Sequence, residues 1–568
     1  MEANRTFAYL RMDTEGKNVP VEGSSRGGQS AGTVALAATL AGLAVAVWLA
    51  VVSDGVYQDD DICHYLYARD AWGNVGSMWH SWARPGYTIP AMFVAHYFGL
   101  FGCRIFSALQ TAAIAYLAYL IARRIVPRGG VAIALAPALV WVQPLAMTLA
   151  LTTLTETTAA LYMAAAVWLY MRGSRVWACL AAGMLCITRY EALGLSPILA
   201  AAVFRDAFKA AQRNWARALK TWWVWACALV MIAPMAIYMA VVVLAELPPD
   251  ASPLQFTRND VAEYGWGDWD HHLVNWLVAS GCGVLALCVA GAVSVPRRAW
   301  LPLAMAGGYV GLHTLIYHYG IVASGGYPRF LVPICGPVAA LAACGLWAAW
   351  RGRGSLASAA VFATVGAILL MLNNKFPEIV RRQYVTFPIL VLAFWAAVGL
   401  MTTGMDRPGP RAWFGRFAAV GAALLAVAQV VVDVRPLSLA REPLHSVVVD
   451  AVHTTQQPDL ATRPVITQHI LARFLRDNTD GAFGNVEAIR MWQAAVPGTL
   501  FLWENKYCFK PHEMDSTYRL HEEMFRLGRL ISRKQSARAI AEVFERLPDA
   551  HTQPGGTYHV TTICSPYD

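Results

Sequence analysis

Long apolar runs separated by short polar loops occupy residues 31–432 of the chain. Most of the runs approach the ~20 residues that a helix needs to cross a bilayer. By this length criterion the pattern predicts a polytopic α-helical membrane protein with about thirteen spans. The expected spans are residues 31–52, 88–125, 131–147, 149–170, 176–187, 192–204, 222–244, 273–293, 301–319, 330–350, 356–372, 386–400 and 417–432.

Two consecutive runs, residues 176–187 and 192–204, are each only about a dozen residues long, which is short for a full span. Arg189 and Glu191 stand between them. Basic residues lie on both flanks, so we expect the pair to enter and leave the membrane on the cytoplasmic side. A charged turn inside the membrane must face protein or water. The pair is therefore predicted to line a recessed cavity that opens outward.

The composition agrees with a membrane protein, because 57% of the residues are hydrophobic and only 14% are charged, against about 25% in soluble domains. The net charge of +9 comes largely from Lys and Arg in short loops, which is typical of cytoplasmic loops and does not indicate nucleic-acid binding. This bias places the N-terminus inside. The loop at residues 373–384 is the exception, since Lys375, Arg381 and Arg382 would lie outside, where a bound anion would explain them.

Polarity divides the chain into three regions, and the last of them is expected to lie outside the membrane. The regions are a disordered cytoplasmic segment, residues 1–30, a transmembrane domain, residues 31–432, and an extracytoplasmic soluble domain, residues 433–568.

The soluble region is predicted to be a small α/β domain. Strand-like runs occur at residues 464–467 and 498–503, and helical periodicity fills much of residues 517–546. Cys508 and Cys564 could form a disulfide if this region faces an oxidising compartment.

Asp59, Asp60 and Asp61 are consecutive carboxylates that follow the first span directly, ahead of an amphipathic segment at residues 62–72. Ionised groups at the membrane boundary are costly unless they serve an ion, a substrate or a partner. Because adjacent carboxylates repel, at least one should share a proton, bind a metal or pair with a cation. The functional interpretations are a general base or a divalent-metal ligand, and the structural one is a solvated acidic loop.

Several arginines at the expected outer face are candidates for binding a phosphate. Arg329 follows two glycines and Tyr327 at the start of a span. The glycines let backbone approach a ligand closely, and arginine offers two parallel donors to an anion. Arg84 and the pair Arg381 and Arg382 would add to the same site. Each of them alone would also serve as an interfacial anchor.

Glu156 lies near the outer end of its predicted span, at the level of Arg189 and Glu191. An isolated carboxylate in the membrane is a functional candidate by default, but Glu156 would also serve simply to neutralise Arg189. Arg189 and Glu191 themselves are either part of a substrate site or a structural ion pair. His271 and His272 show no diagnostic ligand spacing, so a polar loop is the favoured interpretation there.

These features together resemble the GT-C superfamily of integral-membrane glycosyltransferases, in particular the branch of protein O-mannosyltransferases and the bacterial lipid A aminoarabinose transferase. The resemblance is one of architecture over residues 31–337, and a soluble domain after the last span also fits. The residues that carry it are Asp59, Asp60, Asp61, Tyr65, Arg69, Arg84-Pro85-Gly86-Tyr87, Arg189-Tyr190-Glu191 and Tyr327-Pro328-Arg329-Phe330-Leu331-Val332-Pro333.

The resemblance implies an inverting enzyme that takes a sugar from a polyprenyl-phosphate carrier and passes it to a protein, lipid or glycan acceptor at the outer face. It implies that Asp60 or Asp61 acts as the general base. It also implies that the leaving phosphate is held by arginines. The implied phosphate-binding residues are Arg189, Arg329 and Arg381 or Arg382.

The acidic motif departs from the family pattern, since O-mannosyltransferases usually carry Asp-Glu where this chain has three aspartates. Both the acting carboxylate and the use of Mg²⁺ or Mn²⁺ at Asp59 and Asp60 therefore stay open. A lipid phosphate can leave without a metal if cations surround it. We therefore expect a metal-independent enzyme, and we expect it in a bacterial inner membrane.

Two other functions fit parts of the pattern. A transporter or flippase for a lipid-linked or anionic substrate would also use broken helices and intramembrane charge. The charges here lie at one face instead of the midplane, however, and the sequence has no visible inverted repeat. A non-catalytic assembly subunit would use residues 433–568 as a docking module.

Overall fold

Helices form most of the protein, and a four-stranded sheet lies near the C-terminus. Among the described residues, six helices are long and apolar enough to cross a membrane, and a bent helix pair makes a seventh candidate span. These features confirm a multi-pass α-helical membrane protein with a small C-terminal α/β part. The computed structural model describes residues 25–80, 82–244, 266–321, 326–351, 408–439, 443–477, 484–505, 507–508, 514–536 and 539–548.

The helices and strands are numbered in chain order. The helices of the first half are α1 (Ser25–Val51), α2 (Asp59–Asp70), α3 (Val75–Met78), α4 (Pro85–Ile125), α5 (Gly130–Ala134), α6 (Ala136–Trp141), α7 (Pro144–Leu149), α8 (Thr155–Arg172), α9 (Arg175–Thr188), a 3-10 helix (Tyr190–Leu195), α10 (Ser196–Ala210), α11 (Trp215–Leu219) and α12 (Trp222–Leu244). The later helices are α13 (His271–Ser280), α14 (Cys282–Ser294), α15 (Pro296–His318), a 3-10 helix (Pro328–Ile334), α16 (Cys335–Trp350), α17 (Pro408–Asp433), α18 (Pro443–Thr455), α19 (Ile470–Leu475), α20 (Asn485–Ala494) and α21 (Met514–Leu527). The strands are β1 (Val465–Thr467), β2 (Leu500–Glu504), β3 (Gly528–Ser536) and β4 (Ala539–Arg546).

The predicted spans match the described helices in most places. The six long apolar helices are Ser30–Val51, Pro85–Ile125, Trp222–Leu244, Pro296–His318, Pro328–Trp350 and Gly415–Asp433, and the bent pair is His271–Ser280 with Gly283–Ser294. The expected spans 356–372 and 386–400 lie outside the described residues, as does the loop with Lys375, Arg381 and Arg382.

The prediction of one continuous span over residues 131–147 is wrong. The chain forms three short helices there, α5, α6 and α7. Pro137 and Pro144 lie in the first turns of α6 and α7. Proline has no backbone N–H and disrupts a helix interior but is tolerated at a helix start, so it divides this apolar run.

Two further boundaries differ from the predictions. Helix α1 begins at Ser25, inside the segment expected to be disordered, and residues 1–24 lie outside the described part. Helix α2 begins at Asp59 itself, so the acidic run forms the first helical turn instead of a loop ahead of it. Carboxylates in this position are favourable because the N-terminus of a helix carries partial positive charge.

The C-terminal sheet has the strand order β1-β2-β4-β3, with β1 parallel to β2 and the other pairs antiparallel. Strands β1 and β2 confirm the two strand-like runs. The helix expected over much of residues 517–546 is wrong beyond Leu527, because β3 and β4 form a hairpin there. Strand β4 lies between two neighbours and is mostly buried, so sheet pairing overrides the local helical pattern.

Helix α2 lies between the membrane helices and the part of the chain after Asp433, hereafter the C-terminal domain. One apolar cluster joins all three parts. Its members include Ile62, Tyr65 and Leu66 of α2, Tyr87 and Ala91 of α4, and Leu444, Val448, Leu471, Leu502 and Val543 of the C-terminal domain. Contacts with the membrane helices and contacts with the C-terminal domain therefore both determine where the aspartates of α2 lie.

Candidate active site

The charged turn between two half-length helices is present as predicted. Helix α9 has 14 residues and α10 has 15, and Arg189 ends α9 with an extended backbone. The guanidinium donates from Nε to Glu191 Oε1 over 2.6 Å and from Nη1 to Glu156 Oε1 over 3.1 Å. Arg189 is only 8% exposed, so both carboxylates compensate its charge away from bulk water.

Glu156 connects two arginines. It lies in the first turn of α8 and is almost fully buried. Its Oε1 lies 3.1 Å from Arg189 Nη1 and 3.5 Å from Arg329 Nε. Its second oxygen, Oε2, has no hydrogen-bond partner among the described residues. One carboxylate thus serves two guanidinium groups and keeps acceptor capacity unused.

Arg329 joins this buried pair to the acidic run. It lies in the 3-10 helix Pro328–Ile334, is 5% exposed, and donates to the carboxylate of Asp60 and the side-chain oxygen of Gln58. The ring of Tyr327 lies 4.9 Å from its guanidinium carbon. The result is a chain of alternating charges, which we call the charge cluster. Its members in order are Asp60, Arg329, Glu156, Arg189 and Glu191.

The three aspartates of α2 have different surroundings, although they are adjacent in sequence. Asp61 is fully buried. It accepts hydrogen bonds from the backbone N–H of Thr153 over 2.5 Å, from the Thr153 hydroxyl over 2.6 Å and from the backbone N–H of Tyr57 over 3.1 Å. Asp61 therefore fastens the start of α2 to the segment between α7 and α8.

Asp59 is bound by the C-terminal domain. His445 Nε2 lies 2.9 Å from Oδ1, and the Tyr507 hydroxyl donates to Oδ2 over 2.8 Å. Burial and the neighbouring carboxylates raise the pKa of Tyr507 well above its ordinary value, so the phenol is protonated and donates. The sequence did not identify His445 or Tyr507, which are 386 and 448 residues away from Asp59.

Asp60 is the accessible member of the three. Its side chain is 33% exposed, against 7% for Asp59. Its described ion-pair partner is Arg329. A partly exposed carboxylate can be reached by an incoming hydroxyl group, as a general base must be, and the contact with Arg329 keeps Asp60 beside the charge cluster.

Arg84 lies beside the charge cluster without joining it. It is the N-cap of α4, where its backbone is left-handed with φ 56°. Its guanidinium carbon lies 4.1 Å from the ring centre of Tyr190, and its buried Nη1 has no hydrogen-bond partner among the described residues. Within the described part of the chain Arg84 also has no carboxylate partner, so it is a cation available to an anionic ligand.

His271 and His272 lie in a helix and do not form a polar loop. His271 and His272 are the first two residues of α13. His272 is fully buried, and His271 contacts the Gly326 carbonyl over 2.7 Å, so the loop interpretation is wrong. Helix packing against α15 explains their position. His64 on α2 is also buried, and burial lowers its pKa to about 3. It is therefore neutral and does not help to offset the aspartates.

The described residues do not form a divalent-metal site. Among them, no group of three or more His, Cys, Asp or Glu side chains could hold a metal ion. Both oxygens of Asp59 accept hydrogen bonds and Asp60 pairs with Arg329. Metal-independence therefore stays a prediction. Arg381, Arg382 and Cys564 lie outside the described residues, so their predicted roles at the phosphate site and in a disulfide are not placed either.

Comparisons with known proteins identify the fold. The sequence matches no protein-family model and no curated protein. The structure is similar to that of ArnT from Cupriavidus metallidurans in the apo state, with a TM-score of 0.54 and 14% identity over 89% of this chain and 97% of that one. It is also similar to the same protein bound to undecaprenyl phosphate, with a TM-score of 0.51 and 16% identity over 92% and 99%. This chain therefore has the fold of ArnT, in agreement with the architecture that the sequence resemblance implies.

Proposed function

We propose that this protein is a glycosyltransferase that moves a sugar from a polyprenyl-phosphate carrier to an acceptor on the extracytoplasmic face of a membrane. The observation that carries the proposal is the pairing of an accessible carboxylate, Asp60, with Arg329 at the edge of the buried charge cluster. The fold supports it, since one of the similar ArnT structures is bound to undecaprenyl phosphate.

Asp60 is the proposed general base. Asp61 and Asp59 are occupied by Thr153, Tyr57, His445 and Tyr507. In the proposed step Asp60 takes the proton of an acceptor hydroxyl while the hydroxyl oxygen attacks the anomeric carbon. The bond from that carbon to the phosphate oxygen breaks, and the lipid phosphate leaves with the electron pair. A single displacement of this kind inverts the anomeric centre.

The arginines are proposed to stabilise the leaving phosphate, because fixed cations act most strongly where negative charge develops in a site without bulk water. Arg84 is the first candidate, since it has no carboxylate partner in the described structure. Arg329 is the second, because a phosphate can replace part of its contact with Asp60 or Glu156. Arg381 and Arg382 remain proposed contributors.

Sugar transfer by the purified protein in lipid tests the proposal. Radiolabelled undecaprenyl-phosphate sugars are supplied as donors, and wild type is compared with Asp60→Asn. We expect kcat to fall by roughly 10²–10⁴-fold, the usual contribution of a general base. Asp70→Asn, at the other end of α2, is the matched control and should keep wild-type activity.

Two additional measurements separate the alternatives. EDTA treatment decides on metal use: unchanged transfer agrees with metal-independence, and loss restored by Mg²⁺ or Mn²⁺ contradicts it. A wild-type protein that is inert with every donor but moves labelled lipid across the bilayer would replace the transferase proposal with a flippase.

A further inference from the structure

The start of α2 has no side-chain cap of its own. Gln58 occupies the N-cap position with an extended backbone and makes no capping hydrogen bond; its side chain accepts from Arg329 instead. The first backbone N–H groups of a helix have no intrahelical partner, and a capping side chain normally satisfies one of them. The geometry of this turn therefore depends on what other elements hold it.

The C-terminal domain holds this turn through Asp59. His445 comes from α18 and Tyr507 from the segment after β2, and they bind the two carboxylate oxygens at 2.9 and 2.8 Å. The His445 side chain is 1% exposed and that of Asp59 is 7% exposed. Two separate segments of the domain thus converge on one buried carboxylate, which restricts both its position and its rotation.

The chain entering α2 is bound to the same domain by its backbone. The Gly55 N–H donates to the Leu437 carbonyl, and the Leu437 N–H donates to the Ser53 hydroxyl, both over 2.9 Å. A Cβ at Gly55 would lie 2.2 Å from the carbonyl carbon of Ser438, so only glycine permits this approach. The loop before α2 and the chain leading into the C-terminal domain therefore form one packed unit.

We infer that the C-terminal domain forms part of the catalytic centre, with His445 and Tyr507 as positioning residues that hold Asp59 and so fix the direction of Asp60. Asp61 is held from the other side by Thr153. Asp60 lies between two anchored neighbours and faces Arg329. The effect on catalysis rests on the proposed function, whereas the inference that the C-terminal domain holds α2 in place does not.

Conservative substitutions of the two contacts test this inference in the full-length protein. Tyr507→Phe removes only the hydroxyl, and His445→Leu removes the ring nitrogens. We expect each to lower kcat by about 10–100-fold, the size of a hydrogen bond to a charged group, with the KM for the lipid donor within about two-fold because the phosphate contacts are untouched. His445→Gln keeps an N–H donor and should restore part of the activity lost in His445→Leu.

Matched controls lie elsewhere in the C-terminal domain, and His453 shares α18 with His445. His453 on α18 and Tyr518 on α21 are exposed, so His453→Gln and Tyr518→Phe should match wild type. Thermal unfolding midpoints identify any variant that fails to fold. If Tyr507→Phe and His445→Leu fold normally and keep wild-type kcat, the inference is overturned.

Hydrogen exchange gives a readout that does not depend on transfer. Backbone amides of residues 57–66 should exchange faster in Tyr507→Phe and His445→Leu than in either control, because the first turn of α2 opens more readily. A wild type that transfers no sugar would reject the proposed function, while faster exchange in the two variants would still show that the C-terminal domain holds α2. Exchange equal to wild type in both variants would reject the inference that His445 and Tyr507 hold α2.

Discussion

The surroundings of Asp60 and Asp59, on the two sides of α2, differ in how completely their polar groups are paired. Towards the membrane helices, Asp60 begins a cluster of five charged groups with unused hydrogen-bonding atoms at Glu156 and Arg329, and Arg84 lies beside it. Towards the C-terminal domain, both oxygens of Asp59 are satisfied amid apolar packing. Buried polar groups are normally paired, so the incomplete side is the one that fits a polar substrate. The complete side fixes the geometry.

Asp60 and Asp61 provide the sharpest test of this comparison. We expect Asp60→Asn to lose roughly 10²–10⁴-fold in kcat. Its unfolding midpoint should fall less than that of Asp61→Asn, because the Asp60 carboxylate is partly exposed and Glu156 still faces Arg329. Asp61→Asn should lower the midpoint, since an amide cannot accept all the hydrogen bonds that Thr153 and Tyr57 donate. Transfer assays and thermal unfolding in detergent measure both. The reverse result, with Asp60→Asn unstable and Asp61→Asn folded but inactive, would exchange the two roles.

Glu156→Gln tests whether the charge cluster is also structural. Removing the shared carboxylate leaves Arg189 and Arg329 with excess buried charge, and we expect a loss of about 3 kcal/mol in the free energy of unfolding. Denaturant or heat unfolding in detergent measures it. The control is Glu487→Gln, at an exposed position of α20, and equal stability of the two variants would show that Glu156 contributes nothing net.

Local sequence signals were enough to find the candidate residues of the charge cluster. The turn with Arg189 and Glu191 follows from two short apolar runs with basic flanks, and Arg329 follows from its glycine-rich entry into a span. The choice among Asp59, Asp60 and Asp61 could not be predicted. Successive residues of a helix point about 100° apart, so the role of each depends on how α2 docks.

Contacts between residues far apart in the sequence explain why His445, Tyr507 and the β3–β4 hairpin were not predicted. His445 and Tyr507 reach Asp59 only because the C-terminal domain packs against α2. A single histidine or tyrosine in a soluble region does not indicate which distant residue it will contact. The segment 528–546 has residues that also suit a helix, but β4 is inserted between β2 and β3. A Cβ at Gly528 would lie 2.8 Å from the Glu545 carbonyl oxygen, so glycine there permits the close approach of β3 to β4 directly after α21.

Arg84→Gln tests the proposed phosphate contact. The substitution removes the one cluster-adjacent cation that has no carboxylate partner in the described structure, and we expect kcat/KM for the lipid donor to fall about 10–100-fold, as for a charged hydrogen bond. Binding of undecaprenyl phosphate alone should weaken as well. Arg69→Gln is the matched control, since Arg69 already pairs with Asp477 over 2.7 Å. Equal affinities of the two variants would remove Arg84 from the phosphate site.

The smallest expected effect concerns acid stability and His64. Its folded-state pKa is about 3 against an ordinary value of 6.5, so between these values the unfolded chain binds a proton that the folded protein does not. Stability should therefore fall as the pH drops below 6.5, by up to about 1.4 kcal/mol per pH unit from this group. The unfolding midpoint of His64→Gln should depend less steeply on pH than that of wild type between pH 7.5 and 5. Because the substitution also changes packing, the test compares how steeply the two midpoints depend on pH and not their absolute values. Identical pH dependence would mean that His64 is not buried as a neutral ring.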